Sequence, residues 1–311
     1  MSDRPFDACP FFVVGCERSG TTLVRLMLDS HPHLAVPPES HFVVQGPGPR
    51  EDLTAAIDRI LTYPSFHDWD LCLDREQIMK VVADRAIGSY AELLRCLYGL
   101  FAEAHGKRRW GDKTPRYVHH IPALIALFPD AQFIHVIRNG YETAASFYQH
   151  GRIGSVISAA DWWRRVVAEG RRARRLGSER YYELRLERLI ANPAAILEEV
   201  CQFLGEPFSP VMLEYHRDAR LRLTPQMLTN HQDVERPPTS GLRDWTAGLS
   251  YDDQIAVQAV CARTMRSLGF PVSRPPLRGY VIAGNHMLRT WAGQLLHPEW
   301  RPGHIDAPAQ G

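Results

Sequence analysis

The sequence predicts an α/β fold in which a parallel β-sheet is flanked by helices. The residues from Phe11 to Val14 form a continuous apolar run, typical of a buried strand, and a helical pattern starts at Thr21. A second β-rich run at 132–137 is also followed by a helical pattern. Strands that alternate with helices in this way are joined by right-handed crossovers and form a parallel sheet.

The remaining elements follow from the spacing of apolar residues along the chain. Strands are predicted at 11–15, 34–36, 132–137 and 181–186. Helices are predicted at 21–30, 52–62, 89–104, 121–128, 141–150, 159–176, 193–204 and 252–268.

The chain of 311 residues is long enough for one large core, and we predict a single domain over residues 1–311. Residues 45–108 contain no clear strand, and we interpret them as a helical cap over an acceptor site. Residues 270–311 are interpreted as a C-terminal extension, with a candidate helix at 280–296.

The loop between the first strand and the first helix has the spacing of an anion-binding P-loop. Gly15 and Gly20 match the two glycines of G-x-x-x-x-G-K-[ST], but Thr21 occupies the position of the lysine. Arg18 supplies a positive charge three residues earlier. A strand, a loop and a helix in this order point backbone N–H groups and the positive helix end at a phosphate. The loop therefore indicates a phosphate-like anion rather than an ordinary triphosphate.

The strand at 132–137 indicates a second anion site. It ends before Arg138, at a place where P-loop enzymes usually carry an aspartate that supports Mg²⁺. Ser146 lies about two helical turns further on and could add a hydroxyl to the same anion. Two anion sites without a metal site favour a nucleotide that is phosphorylated at two separate places.

These segments resemble the sulfotransferases that use 3′-phosphoadenosine 5′-phosphosulfate (PAPS). The R-S-G-T-T variant of the loop is that of many bacterial members and of the tyrosylprotein sulfotransferases. Four stretches carry the resemblance, and they occur in the family's order at 11–42, 110–115, 131–147 and 179–208. The resemblance implies PAPS as the sulfuryl donor, no metal, and a hydroxyl of a small molecule, glycolipid or natural product as the acceptor.

The resemblance also implies which residues bind the donor. These candidates are Arg18, Ser19, Gly20, Thr21, Thr22, Arg138, Ser146 and Arg243, with Ser240 as an alternative to Arg243. Leu186 stands where related sequences have the tyrosine that packs on the adenine. Either Tyr181 or Tyr182 substitutes for it, or the adenine packs on aliphatic surface.

The catalytic candidates are Glu39, Lys113 and Arg18. The first helix carries the chain about 15 Å away from the loop. The seven steps from Pro32 to Glu39 can span about 23 Å, so Glu39 can return to the nucleotide. The tyrosylprotein branch has its catalytic base at this place, and Lys113, expected in a turn, matches a lysine that contacts the leaving group.

A histidine is the rival base, as in the cytosolic branch of the family. His41 lies two residues from Glu39, and His67 and His105 lie in the predicted cap. The pKa of an ordinary histidine suits proton transfer near neutral pH, so the choice between Glu39 and these histidines stays open.

The composition argues against several partners. The chain has 36 lysines and arginines against 35 acidic residues, a net charge of +1, so we expect no overall field that would attract nucleic acid or an anionic membrane. Six cysteines show no metal-ligand spacing and are expected to be reduced. There is no basic N-terminal region before an apolar run and no stretch of 18 apolar residues. We therefore expect no membrane span and a cytoplasmic location.

Two other classes of function remain as alternatives. One is a kinase-like phosphoryl transferase on a degenerate P-loop, which the missing lysine and the missing Mg²⁺ aspartate disfavour. The other is a non-catalytic sensor of the nucleotide, which Glu39 and Lys113 disfavour.

Overall fold

The computed structural model describes residue 6 and residues 8–46, 52–223 and 244–296. The chain divides into two compact units. The first unit comprises Met1–Arg138 and Val166–Leu242, and the second comprises Asn139–Arg165 and Arg243–Gly311. The single domain over residues 1–311 stays a prediction.

The first unit contains a five-stranded sheet in which all strand pairs are parallel. The strands are β1 Phe11–Gly15, β2 Leu34–Ala35, β3 Arg109–Lys113, β4 Gln132–Ile137 and β5 Tyr181–Arg185. Their order across the sheet is β2-β3-β1-β4-β5. This arrangement confirms the predicted α/β fold with a parallel sheet flanked by helices.

Strand β3 was missed by the sequence analysis, which treated this stretch as a turn. Its residues Arg-Trp-Gly-Asp-Lys lack the apolar run that marks a buried strand, yet every one of them is buried. The polar side chains of β3 can be buried because they form hydrogen bonds with residues outside the strand. Arg109 donates to the Cys9 carbonyl oxygen at 2.8 Å, and the Tyr98 hydroxyl donates to the Asp112 carboxylate at 2.6 Å.

The helices follow the predicted ones closely where the apolar period is regular. They are α1 Thr21–Asp29, α2 Leu53–Leu61, α3 Pro64–His67, α4 Arg75–Asp84, α5 Tyr90–Ala104, α6 Ile121–Leu127, α7 Gly140–Gln149, α8 Val156–Gly170, α9 Leu186–Ala191, α10 Pro193–Leu204, α11 Tyr251–Ser267 and α12 Leu277–Leu296. Short 3₁₀ helices lie at Pro115–His120, Arg171–Leu176, Pro210–Arg217 and Ala219–Arg222.

The described part of residues 45–108 is helical, as predicted, and consists of α2 to α5. Helix α5 begins with a capping box in which the Ser89 and Glu92 side chains accept each other's backbone N–H groups. An aromatic chain links this segment to the sheet. The rings of Trp69 and Tyr98 lie 4.6 Å apart, and those of Tyr98 and Trp110 are stacked at 4.4 Å. A role as a cap over the acceptor site stays a prediction.

The chain segment after α1 is fixed by two charged side chains of that helix. Arg25 Nε donates to the Val36 carbonyl oxygen at 3.0 Å, and the Val36 N–H donates to Asp29 Oδ1 at 3.0 Å. Lys107 in turn pairs with Asp29 at 3.0 Å. Both backbone groups of Val36 are therefore bonded, which sets where the following residues begin.

The second unit is helical in its described part. Helix α7 begins at Gly140, and the Asn139 side chain accepts the N–H groups of its first turn. A Cβ at Gly140 would lie 2.7 Å from the buried ring of Trp163, so this position needs glycine. Trp163 is therefore a core residue of this unit.

Candidate functional site

The carboxyl ends of β1, β3 and β4 meet at one edge of the sheet in the first unit. The strand register pairs Val13 with Lys113 and Gly15 with Val136. The loop after β1 therefore lies between the end of β3 and the end of β4, which precedes Arg138. In open parallel sheets, ligands bind at this edge.

The loop at 16–20 is a tight turn whose two flanking glycines are required by sterics. A Cβ at Gly15 would lie 2.5 Å from the Val136 carbonyl oxygen, and one at Gly20 would lie 2.7 Å from a methyl carbon of Leu186. Gly20 also has a φ of 88°, and Arg18 a φ of 68°, both left-handed. The backbone is thus held in a conformation that most sequences avoid.

The end of this loop has two features that suit an anion. Helix α1 starts after Gly20 with no side-chain cap and no acidic residue in its first turn. Ser19 is completely buried, and its hydroxyl has no hydrogen-bond partner among the residues that the structure describes. Uncapped helix N–H groups and a buried hydroxyl donor favour a phosphate-like group at this position. The predicted donor-binding positions of the loop therefore fit such a group.

Arg138 lies against the loop. Its Nη1 donates to the Arg18 carbonyl oxygen at 3.2 Å. This contact brings two of the predicted donor-binding arginines together. Ser146 lies in α7 of the second unit and is buried, so its pairing with Arg138 stays a prediction. Arg243 and its alternative Ser240 lie outside the described residues.

A chain of polar side chains leads from α1 to solvent through Lys113. Its Nζ donates to Glu39 Oε1 and lies 3.4 Å from the Thr22 hydroxyl. His41 Nε2 lies 3.2 Å from Glu39 Oε2. The Lys113 side chain has no exposed surface, whereas 24% of the Glu39 side chain is exposed. The structure thus brings two of the three catalytic candidates, Glu39 and Lys113, beside the first turn of α1, and Lys113 lies on a buried strand rather than in the expected turn.

The ion pair controls the protonation of both partners. Burial alone would raise the pKa of the Glu39 carboxyl, but the charge of Lys113 and the hydrogen bond to His41 hold that pKa well below its usual range. Burial lowers the pKa of Lys113, and Glu39 opposes this shift. A carboxylate with so low a pKa is a weak base. Glu39 would become a stronger base if another group shared the positive charge of Lys113.

The backbone around Glu39 is fixed by side chains from two other segments of the chain. Trp69 Nε1 donates to the Pro38 carbonyl oxygen at 3.1 Å. The N–H of Ser40 donates to the Thr114 hydroxyl at 3.1 Å. Because both neighbours of Glu39 are bonded, the carboxylate is presented to Lys113 by a rigid segment rather than by a free loop.

Several of the residues that position this segment were missed by the sequence analysis. The Tyr117 hydroxyl accepts the Val43 N–H at 3.0 Å and lies 2.7 Å from the Ser40 hydroxyl. Tyr117 gave only a weak signal, because its 3₁₀ turn, Pro115–His120, also contains Arg116, His119 and His120. Arg25 gave a clearer one, because a buried arginine within an apolar helix face needs specific acceptors.

Of the rival histidines, the structure places His41 alone in contact with Glu39 among the three candidates. His67 Nε2 bonds the Leu61 carbonyl oxygen at 2.9 Å. His105 Nδ1 bonds the Phe101 carbonyl oxygen at 2.8 Å. Both are local contacts to helix carbonyls.

The structure places the residues proposed to pack on the adenine at different positions. Tyr181 and Tyr182 lie at the amino end of β5, opposite the carboxyl edge, and their hydroxyls bond His135 at 2.6 Å and Glu199 at 2.7 Å. Leu186 is buried against Gly20 of the loop. The aliphatic alternative is therefore the one that lies beside the loop.

Two expected absences concern metals and membranes. Among the described residues, no three or more His, Cys, Asp or Glu side chains are grouped so that they could hold a metal ion. In the same part of the chain, no helix is both long and apolar enough to span a bilayer. Metal independence stays a prediction.

Sequence comparisons identify relatives over most of the chain. A family model described as "Sulfotransferase family" matches residues 10–210. The nodulation protein NoeE of Sinorhizobium fredii is 34% identical over 43% of this chain and 30% of its own length. A protein-tyrosine sulfotransferase of Drosophila melanogaster is 24% identical over 85% of this chain and 52% of its own length. The omega-hydroxy-beta-dihydromenaquinone-9 sulfotransferase of Mycobacterium bovis is 24% identical over 67% of both chains.

The chain spans about half or less of the length of several of these relatives, and only 27% of an uncharacterised protein of Aquifex aeolicus. Among solved structures, the sulfotransferase domain of the Synechococcus PCC 7002 olefin synthase matches with a TM-score of 0.58 at 22% identity. That match covers 92% of this chain and 96% of the domain, and it supports the fold.

Glu39→Gln, Lys113→Met and the double variant should test the ion pair by urea unfolding. Either single change leaves one charge without its partner, so each should cost about 1–3 kcal/mol, below the range for fully buried pairs because Glu39 is partly exposed. The double variant should lose less than the sum of the two. The difference in unfolding free energy between the wild type and Glu39→Gln should become smaller as the pH falls below 4.5. In that range a carboxylate of depressed pKa progressively loses its stabilising contribution.

The exposed pair Arg75–Asp58 provides a matched control, and neutralising both of its partners should show no measurable coupling. Additive losses for Glu39 and Lys113 would contradict a coupled pair.

Proposed function

The chain belongs to the sulfotransferase family, and we propose that it transfers the sulfuryl group of PAPS to an acceptor hydroxyl. The observation that carries the proposal is the contact of the buried Lys113–Glu39 pair with Thr22 in the first turn of α1, directly after the anion-suited loop. The names of two relatives give a protein tyrosine and a hydroxylated dihydromenaquinone as their acceptors. Both are hydroxyl compounds, and we propose a small molecule, a glycolipid or a natural product for this chain.

The loop residues and the first turn of α1 would hold the phosphosulfate group. The Ser19 hydroxyl has no other partner in the described structure, and the helix N–H groups have no side-chain cap. Arg18, Thr21 and Thr22 would add a charge and two hydroxyls. Donors that are fixed before the reaction stabilise developing negative charge without a reorganisation cost, and this is usually the largest catalytic effect.

Lys113 would couple donor binding to the activation of the base. In the ion pair its charge keeps the pKa of Glu39 low. A second anion beside Lys113 would share that charge, and the pKa of Glu39 would rise towards its ordinary value. Glu39 would then take the proton of the acceptor hydroxyl as the new S–O bond forms, while Lys113 stabilises the oxygen that leaves. Arg18 would contact the transferring group.

The second anion site is proposed at Arg138, which lies beside the loop. We assign the 3′-phosphate of the donor to this guanidinium, since a fixed fork of N–H donors suits phosphate oxygens. Ser146 remains a candidate because of its spacing from Arg138 and the family resemblance, and Arg243 because of the resemblance alone. A cytoplasmic location also remains part of the proposal, and the six free cysteines would suit a reducing compartment.

Turnover is the direct test of this function. The chain should release 3′,5′-adenosine bisphosphate from PAPS in the presence of a panel of phenols, primary alcohols and glycolipids, and the sulfated product should be detectable by mass spectrometry. Excess EDTA should leave the rate unchanged. Activity that depends on added Mg²⁺ or Mn²⁺ and uses ATP would support the phosphoryl-transfer alternative. Tight nucleotide binding without turnover across the panel would support the sensor.

Replacement of Arg138 should separate the two anion sites. Arg138→Ala should weaken the binding of 3′,5′-adenosine bisphosphate by about 10- to 150-fold. This loss is equivalent to one charge-assisted hydrogen bond of about 1.5–3 kcal/mol. Adenosine 5′-phosphosulfate lacks the 3′-phosphate and should lose much less. Isothermal titration measures both, with the exposed Arg172→Ala as the control. Equal losses for the two ligands would contradict the assignment.

Replacement of Glu39 should test the identity of the base. Glu39→Gln keeps the shape of the side chain and removes the proton acceptor, so kcat should fall about 10²–10⁴-fold while nucleotide affinity survives. His41→Asn should cost less, since His41 contacts Glu39 and acts through it. Lys113→Met should lower kcat and move the acid limb of the pH–rate profile upward, because Lys113 holds the pKa of Glu39 down.

The control is His67→Gln, which should leave the rate unchanged. An inactive His41→Asn beside a normal Glu39→Gln would assign the proton transfer to the histidine.

A further inference from the structure

Helix α12, Leu277–Leu296, packs on α11 with one of its faces. Gly279 and Ala283 lie on this face. A Cβ at Gly279 would lie 2.4 Å from the Ile255 carbonyl oxygen of α11, and Ala283 is buried. The small residues therefore allow the two helices to approach closely.

The opposite face of α12 presents large apolar side chains to solvent. Leu277, Val281, Leu288 and Trp291 are 80%, 55%, 64% and 61% exposed. At about 100° per residue, their spacing of four, seven and three places them along one side of the helix. We refer to these four residues as the apolar stripe. Exposed apolar side chains are ordinary when scattered, but four large ones along one side of a single helix indicate an interaction surface.

The charged residues of α12 itself have one sign. No aspartate or glutamate occurs between Phe270 and Leu296. Arg274, Arg278 and Arg289 are exposed, and Arg278 pairs with Asp252 of α11 at 2.6 Å. Arg278 and Arg289 lie on the same flank of the stripe, about 100° and 120° around the helix from Leu277.

We propose that the apolar stripe binds the surface of an anionic lipid bilayer, with α12 lying in the plane of the interface. A helix with leucine, valine and tryptophan on one side, arginine on the flank and no acidic residue has the pattern of an interfacial amphipathic helix. Tryptophan is favoured at the boundary between headgroups and acyl chains. Binding of this kind requires no membrane-spanning segment, and it does not depend on the proposed transfer reaction.

A second copy of the chain fits the apolar stripe less well. Two copies of α12 would meet without a single carboxylate on either helix to pair with the arginines, whereas anionic headgroups would pair with them. A helix of 20 residues is about 30 Å long, and four side chains along it fall short of the 1,200–2,000 Å² that stable protein interfaces bury. A bilayer needs no such shape complementarity.

Vesicle sedimentation with the full chain tests the proposal. The protein should bind vesicles made of equal parts phosphatidylcholine and phosphatidylglycerol, and it should bind pure phosphatidylcholine less tightly. Raising the salt to about 1 M should weaken the binding, because the Debye length falls to about 3 Å. Leu288→Glu should reduce the apparent partition coefficient at least about tenfold.

Thr290→Glu is the matched control. It adds the same charge to the same helix, at an exposed residue about 160° around from Leu288, and it should retain wild-type binding. Circular dichroism checks that both variants remain folded. Absence of binding to anionic vesicles would overturn the proposal, as would equal binding by Leu288→Glu. A dimer that Leu288→Glu dissociates, without vesicle binding, would instead assign the stripe to a second copy.

Discussion

A lysine that has no contact with water needs a carboxylate beside it, and this requirement shapes the whole site. Lys113 is buried at the end of β3, and Glu39 supplies the compensating charge. Glu39 reaches it because Arg25 and Asp29 of α1 hold Val36 and thereby fix the returning chain. Trp69, in the turn between α3 and α4, and Thr114, directly after β3, then hold the neighbours of Glu39. These contacts of the first unit converge on one ion pair.

The position of the Lys113–Glu39 ion pair connects it with the proposed reaction. Lys113 also lies 3.4 Å from the Thr22 hydroxyl in the first turn of α1, so the ion pair adjoins the anion-suited loop. An anion at the loop and the Glu39 carboxylate would compete for the same lysine charge. In the proposed mechanism, this competition would make the basicity of Glu39 depend on whether a donor is bound, and it would limit proton transfer to the loaded site. Without a donor, Lys113 and Glu39 thus form a salt bridge. With a donor bound, the same two residues would act in the proposed reaction.

The sequence was sufficient for much of this architecture, because β1, β4 and most helices have regular apolar periods. Glu39 was also predictable, since the lengths of α1 and of the return segment bring it back to the loop. Strand β3 was not, because its Arg-Trp-Gly-Asp-Lys residues are buried through long-range partners such as Tyr98 and Cys9. The spacing of apolar residues cannot reveal hydrogen bonds between residues that are far apart in the sequence. Nor could it show that His41 and Glu39, predicted as rivals, contact each other.

In the proposed site, the loop and Arg138 together select a nucleotide that carries two separated phosphates. The decisive experiment is isothermal titration of 3′,5′-adenosine bisphosphate and of ATP, each in EDTA and then with excess Mg²⁺. We expect the bisphosphate to bind at least about tenfold more tightly than ATP, the equivalent of about 1.4 kcal/mol, and we expect Mg²⁺ not to change its affinity. Tighter binding of ATP, or binding of the bisphosphate that appears only with Mg²⁺, would contradict it.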